Sequence, residues 1–437
     1  MTQLLEARAG RVTLEMERTA QGEGVSPGAM QAAVAAGTVV IPRNRLRGEI
    51  DACAIGKGLR TKVNALIGTS SDCADPEMEV RKLRTAVAAG ADAIMDLSTG
   101  GDIDGMRQKS LRTVNVPVGS VPVYQAATWA IEKQGSIVAM TPEDMFSAIE
   151  RQAADGVDFM AIHCALNFDV LTRLQKARRV TDIVSRGGAL LTGWMLHNRR
   201  ENPLYEHYDR VLEILKAYDV TLSLGDAIRP GCVADSLDGA QIQGLLVAGE
   251  LVGRARAAGV QVMVEGPGHV PMHHVEATIG LQKRLCHDAP YFVLGTLVTD
   301  VAPGYDHITA AVGGALAGAA GTDFICYVTP AEHLGLPSEE DVYAGVIAAR
   351  IAAHAADLAK GVRGGAERDL FMARARAAGD RAAQRELALD PAVFGDCPNC
   401  SNGSCRLCGE ECAVRIGLAY LAGGPPAREI RGSTATG

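Results

Sequence analysis

Aromatic residues make up only 4% of this 437-residue chain. A binding surface built on Tyr and Trp anchors is therefore not expected. No run of Lys and Arg occurs and the net charge is −8, the reverse of the basic footprint that nucleic-acid binding leaves. No 18 apolar residues follow one another without interruption, so no membrane span is expected. Glu6, Arg8 and Arg11 stand where the apolar core of a signal peptide would lie.

Ala, Gly and Val are abundant, and an apolar share of 47% is enough for a large core. That balance suits tightly packed α/β architecture. The 11 cysteines are odd in number and six of them are isolated, which argues against a secreted disulfide framework. The expectation is a soluble protein of a reducing compartment, the cytoplasm.

The other five cysteines crowd the C-terminal end as Cys397, Cys400, Cys405, Cys408 and Cys412. Any four of them could close a zinc knuckle, because paired thiolates suit zinc and iron–sulfur clusters alike. The triplet Cys405-x2-Cys408-x3-Cys412 offers three thiolates, which would leave one iron of a 4Fe–4S cluster open to a ligand. It is also the CxxxCxxC spacing of radical enzymes written backwards.

From residue 61 short β-rich runs recur: Lys62–Thr69, Ala93–Leu97, Val116–Tyr124, Val157–Cys164, Thr181–Ser185, Val220–Asp226, Val260–Glu265, Tyr291–Thr299 and Asp323–Thr329. Helical segments such as Glu77–Ala89, Pro142–Ala154 and Glu206–Tyr218 separate most of them. This alternation predicts an α/β fold of (β/α)8 type, with a doubly wound open sheet as the rival. The runs end on polar residues, among them Asp96, Tyr124, His163, Ser185, Asp226 and Glu265. A barrel brings such residues to one rim, which favours it. The expected organisation is a helical and extended region over 1–60, a barrel over 61–355, a helical connector over 356–394 and a cysteine tail over 395–437. After the barrel strands, Val346–Lys360 is apolar on most faces and predicted to be buried, and Glu367–Ala388 is predicted to be one charged helix.

Two further constellations suggest chemistry and a third does not. His269 and His333 fall at two predicted rim positions with Glu265 and Glu332 near them in sequence, which suits either hydrogen-bonded core residues or a zinc site. Ser185-Arg186-Gly187-Gly188 is predicted to open a helix straight after a strand. It is either a tight βα turn or a phosphate cradle of backbone N–H groups and an arginine, with Arg229 as a second fork. The Ala/Gly run Gly313–Gly321 lacks a strand before it, so close helix packing is expected rather than a dinucleotide loop.

Several segments are recognisable: Gly58-Leu-Arg-Thr-Lys-Val-Asn64, Met95-Asp-Leu-Ser-Thr-Gly-Gly101, Glu201-Asn-Pro-Leu-Tyr-Glu206, Val264-Glu-Gly-Pro-Gly-His-Val-Pro271, Ala302-Pro-Gly-Tyr-Asp-His-Ile308 and Tyr327-Val-Thr-Pro-Ala-Glu-His-Leu-Gly-Leu-Pro337. On these runs nearly the whole chain resembles the radical S-adenosylmethionine (SAM) thiamin pyrimidine synthase (ThiC) family. The resemblance implies a homodimeric barrel enzyme whose cluster arm docks over a barrel, in the family that of the partner subunit. It implies 5-aminoimidazole ribotide as substrate and a reductant protein such as ferredoxin or flavodoxin. Carried over, Met95, Tyr124, His163, Ser185, Arg186, Gly187, Asp226, Arg229 and Glu265 would surround the substrate. His269 and His333 would hold zinc, and Cys405, Cys408 and Cys412 a 4Fe–4S cluster that binds SAM. Glu265, Asp226 and His163 are the acid/base candidates.

The chain departs from the thiamin enzyme at the site. Leu66 stands where that enzyme has a second Asn, Pro290-Tyr291-Phe292 where it has Pro-Phe-Tyr, and Asp226-Ala227-Ile228-Arg229 where it has Asp-Gly-Leu-Arg. The cysteine motif is one residue shorter, and Cys397 and Cys400 have no assigned role. Leu66 cannot replace either hydrogen-bonding role of an Asn, a loss of about 1 kcal/mol per neutral bond. Leu66, Ala227, Ile228 and Phe292 thus retune the substrate contacts, while the cluster, zinc and phosphate residues stay. This profile resembles the family's 5-hydroxybenzimidazole synthase branch, which serves anaerobic cobamide synthesis. Phosphomethylpyrimidine synthase is the alternative, and a zinc-dependent barrel hydrolase with a structural tail is the rival from another class.

Overall fold

The computed structural model describes residues 1–395 and three further helical positions, Ala413, Gly417 and Leu421. The five tail cysteines, and with them the expected cluster ligands Cys405, Cys408 and Cys412, lie outside the described residues. The chain divides into two compact units, Met1–Arg363 and Gly364–Gly437.

In the first unit a short antiparallel pair, β1 (Val39–Val40) and β2 (Ile55–Gly56), follows three helices, Gln3–Arg8, Leu14–Glu23 and Pro27–Ala36. Eight parallel strands then close into a barrel: β3 (Lys62–Ile67), β4 (Ala93–Asp96), β5 (Val118–Ser120), β6 (Phe159–Ile162), β7 (Thr221–Leu224), β8 (Val262–Gly266), β9 (Tyr291–Leu294) and β10 (Phe324–Cys326). They follow one another around the ring and β10 returns to pair with β3. The strands are buried along almost their whole length. Parallel strands covered by helices on one side and a filled interior on the other need such continuous apolar runs.

The N-terminal segment closes the lower mouth of this barrel. Asn44 donates to the carbonyls of Ala153 and Val157 at 2.7 and 2.9 Å, and Gln261 bonds the backbone of Ile41 through both ends of its amide. Lys62 at the foot of β3 is buried against Glu23, 2.7 Å away. A polar cavity of about 350 Å³ remains at this end, bordered by Glu23, Arg60, Lys62 and Asp92, while the polar strand ends face the opposite rim.

Two of the expected strand runs behave otherwise. Thr181–Ser185 is not a strand. The N–H groups of Val180 and Thr181 donate to the Asp235 carboxylate at 2.8 and 2.9 Å, so this backbone is satisfied by a side chain and has no ladder to join. Val116–Tyr124 splits: Pro122 opens the helix Pro122–Gln134, so Tyr124 rides on the first turn of a helix. Proline has no N–H to give a ladder and is suited to the first helical position.

The helix Glu339–Lys360 begins at a Ser338/Asp341 capping box. It is one helix among the described residues that is long and apolar enough to cross a membrane. Its Val342, Val346, Ala349 and Ala353 are part of the barrel core, and Asp357 accepts from the N–H and hydroxyl of Thr61 at 2.8 and 2.7 Å. The expected burial therefore holds on one face, while Ile351 and Leu358 are exposed. The Ala/Gly run lies in the neighbouring helix Asp306–Ala320, where Gly318 sits against Ala356.

In the second unit the expected single helix is two, Gly365–Ala378 and Arg381–Leu387. Gly379, at φ 68°, ends the first and Asp380 caps the second. Arg368 ties them together through the carbonyls of Leu387 and Ala388 at 2.8 and 3.0 Å.

Candidate active site

A cavity of about 260 Å³ opens at the C-terminal ends of the strands. Its apolar wall includes Leu66 of β3, Met95 of β4 and Phe292 of β9. Phe292 is held by stacking on Phe324, with ring centroids 4.2 Å apart. The carbonyl of Leu66 accepts from the Tyr327 hydroxyl at 2.9 Å, which pins the backbone there. The polar wall takes one group each from separate elements: Tyr124, His163, Arg186, Arg229 and Glu265.

His163 follows β6 and is wedged between two glycines. A Cβ on Gly187 would run into its ring, and one on Gly225 would lie 2.9 Å from it. The Ser185 hydroxyl lies 3.3 Å from Nε2 and also caps the helix Arg186–Asn198 by accepting from the Gly188 N–H at 3.2 Å. Burial, with the Arg229 charge nearby, pushes the His163 pKa down to about 3. The imidazole is therefore neutral across the physiological range.

Glu265 of β8 accepts from the Ser223 hydroxyl at 2.8 Å. Burial pushes it up to about 7; Ser223 and Arg229 pull the other way, and Asp226 adds to the rise. Burial likewise carries Asp226 up to about 6 against Arg229 and Arg179. A carboxyl at about 7 can give or take a proton near neutrality. Asp226, Ala227 and Ile228 do not line the main cavity; they line a smaller one behind it, which Glu265 also borders. Ser185 and Gly187 pack on His163, while Val184 and Arg186 line the main cavity.

Arg186 lies 5.5 Å over the Tyr124 ring, and Arg229 donates only a long bond, 3.5 Å, to the Asp226 carbonyl. Neither has an ion-pair partner among the described residues, and the Nε of Arg229 is buried without an acceptor. Two guanidinium groups facing one cavity beside a helix N-terminus form an anion-binding pole.

His269 and His333 come together, their ring centroids 5.4 Å apart. The Nδ1 of His269 lies 2.8 Å from Asp300, and that of His333 2.8 Å from Asp306. A carboxylate only accepts, so each Nδ1 donates, and the tautomer this selects in a neutral ring has its lone pair on Nε2, where a metal would bind. Both carboxylates are in turn held by backbone N–H groups, of Val233 at 2.9 Å and Gly304 at 3.1 Å. Carboxylates that orient imidazoles in this way are the support that a histidine metal site would need, and the pair would fit zinc. No group of three or more potential ligands gathers among the described residues. Two protein ligands are therefore what they offer.

Asp300, in the loop after β9, and Asp306, the first residue of the helix Asp306–Ala320, were not singled out in the sequence. Cys326 and Glu332, also on the cavity wall, were not named as contacts either.

The chain matches the Radical SAM ThiC family over residues 2–418. It belongs to that family. It is 67% identical to a 5-hydroxybenzimidazole synthase BzaB of Moorella thermoacetica, over 96% of this chain and 99% of the relative. It is 59% identical to the phosphomethylpyrimidine synthase of the same organism, over 96% of this chain and 98% of the relative. A BzaB of Eubacterium limosum is 59% identical over 90% of this chain and 92% of the relative. Membership of the radical SAM ThiC family makes the chain an enzyme that works with SAM and an iron–sulfur cluster on a small molecule.

Proposed function

We propose that this member of the ThiC family converts 5-aminoimidazole ribotide to 5-hydroxybenzimidazole, with release of formate, as a radical SAM carbon–carbon lyase. The observation that carries the branch is the comparison within one organism: 67% identity to the Moorella BzaB against 59% to the Moorella phosphomethylpyrimidine synthase. The apolar Leu66 and Phe292 on the cavity wall support it, because they withhold hydrogen bonds from the ring and sugar being rebuilt. Phosphomethylpyrimidine synthase remains the second reading, since the Eubacterium BzaB is no nearer at 59%.

In this reading Arg186, Arg229 and the helix start after Ser185 take the ribotide phosphate. Neutral His163 hydrogen-bonds the sugar, Glu265 moves protons with Asp226 behind it, and Leu66, Met95 and Phe292 exclude water. When bound at Cys405, Cys408 and Cys412, the 4Fe–4S cluster and SAM supply the 5′-deoxyadenosyl radical. His269 and His333 hold zinc, with Asp300 and Asp306 orienting them. The exposed Val312, Leu316 and Ile351 support a homodimer. Ferredoxin or flavodoxin supplies the electron, and the enzyme works in the cytoplasm.

The test is anaerobically reconstituted protein with 5-aminoimidazole ribotide, SAM and a reductant, with the products identified by mass. Benzimidazole is expected. Hydroxymethylpyrimidine phosphate as sole product would overturn the proposal and establish the alternative.

A further inference from the structure

Behind Glu265 lies a second, smaller cavity of about 20 Å³, room for one water molecule. It is bounded by β8, the loop after β7 and the helix Gly239–Ala258, and Tyr291, Gln241 and Asp226 face it. Tyr291 points away from the barrel interior, on the opposite side of β9 from Phe292. Its ring runs up beside β8 and is accommodated only because residue 266 is glycine, where a Cβ would meet the phenol.

The Tyr291 side chain is fully buried, and its hydroxyl has no hydrogen-bond partner in the protein. The Gln241 side chain is 3% exposed; its Oε1 accepts from the Leu237 N–H at 2.6 Å, but its Nε2 has no acceptor. Two buried residues with unmet donors thus border the same water-sized cavity as a carboxyl, and such groups are costly unless something joins them.

We propose that Tyr291 and Gln241, through one buried water, form a positioning shell that orients the Asp226 carboxyl and stabilises its charge behind Glu265. Tyr291 and Gln241 donate to the water, and the water donates to Asp226. Burial together with the Asp226 charge holds the Tyr291 phenol well above its ordinary pKa, so it stays a donor. The other charged groups facing Asp226 are Arg229 on its own loop, Glu265 on β8, and Arg179 with Asp238. Arg179 and Asp238 bind each other through two bonds, of 2.7 and 2.9 Å. None of these four replaces the two donors at the water.

The inference rests on the reading of Asp226 and Glu265 as a proton-handling pair, and it predicts a signature that packing alone would not give. Without the phenol, the first negative charge on the pair loses a donor, so the lower apparent pKa of the pair rises. In reconstituted full-length Tyr291→Phe, the acid limb of ribotide consumption should move up by about one pH unit, with the plateau retained. Gln241→Glu keeps the acceptor for the Leu237 N–H and replaces the donor with a second acid; it should move the limb the same way. Following ribotide consumption rather than product keeps this test separate from the benzimidazole proposal, whose failure would show in the product's identity. A crystal structure of the full chain should show one ordered water bonded to Tyr291, Gln241 and Asp226. An empty cavity, or variants that lose rate equally at every pH with the limb unmoved, would overturn the inference.

Discussion

The His163 ring fills the space that a side chain on Gly187 would take. The histidine's position is thus fixed by the start of a helix more than 20 residues later, which also supplies Arg186 to the cavity wall. Gly187→Ala must displace either the ring or the helix start, and overpacking of this kind costs about 1–3 kcal/mol. The variant is expected to bind ribotide about tenfold more weakly by calorimetry and to unfold at a lower temperature. Gly193, in the same helix with nothing within 4 Å of its Cβ position, is the control. Gly193→Ala should bind normally and be slightly more stable, since alanine favours a helix by about 1 kcal/mol over glycine.

Arg229 is partly buried; the Asp226, Glu265 and Glu332 carboxyls feel its charge, but none forms a direct ion pair with it among the described residues, so its loss should weigh more on ligand binding than on stability. Arg229→Gln is expected to weaken ribotide binding by about ten- to a hundredfold, the scale of a hydrogen bond to a charged group. The free protein should lose little stability, because no direct ion pair is broken. Calorimetric titration and thermal melts of the same variant check both arms. Weakened binding together with a fall in stability would point to a structural role instead.

The two raised carboxyls set a pH dependence of stability whose sign can be worked out. Glu265 titrates near its ordinary 4.5 when unfolded and at about 7 when folded. Between these values the folded state holds more protons, so this group makes stability fall as pH rises. His163 acts in the other direction: it is at about 3 when folded against 6.5 unfolded, so its contribution grows from pH 3 to 6.5 and is then constant. Glu265→Gln removes only the first effect. Its melting temperature should match the wild type near pH 4.5 and exceed it increasingly up to pH 8. A constant difference across that range would show that Glu265 is not raised.

For the histidine pair, the orienting carboxylates are the sharper probe. Asp300→Asn leaves both imidazoles in place but offers His269 a partner that no longer fixes which nitrogen carries the proton. Zinc affinity should fall by about ten- to a hundredfold, read by competition with a chromophoric chelator, while Asp306→Asn has the same effect through His333. Unchanged affinity in both variants would separate the carboxylates from metal binding.

Much of the barrel was legible because buried parallel strands leave continuous apolar runs, and eight of the nine runs in the sequence are strands. The ninth, Thr181–Ser185, has strand-like residues but a side-chain partner, Asp235, more than 50 residues later. No local pattern contains that bond. Tyr124 was misplaced for the opposite reason: Pro122 signals a helix start locally, but the valines before it carry the strand pattern past it. His269 and His333 were legible as rim positions, whereas Asp300 and Asp306 were not, because a carboxylate in a loop or at a helix start looks like a solvated turn or capping residue until the fold aims it. Tyr291 is the clearest limit. Neighbouring strand residues face opposite sides, so the sequence showed a phenol withdrawn from the cavity, but only the fold shows where it went.

Leu66 and Phe292 bear on which product forms, and their surroundings make the exchange testable. The Leu66 backbone is pinned by Tyr327 and the Phe292 ring by Phe324, so Leu66→Asn with Phe292→Tyr should alter cavity chemistry without moving the wall. Each new polar group is unpartnered in the empty cavity, which costs about 1–3 kcal/mol unless a ligand meets it. The double variant should therefore be less stable alone and recover stability on binding ribotide. If contacts to the ring and sugar decide which carbons are retained, it should also yield some hydroxymethylpyrimidine phosphate beside the benzimidazole, detected by mass. Stability recovered on binding with the product unchanged would show that these two positions contact the substrate but do not choose its fate. Ala227 and Ile228, in the shell behind Glu265, would then be the next positions to exchange.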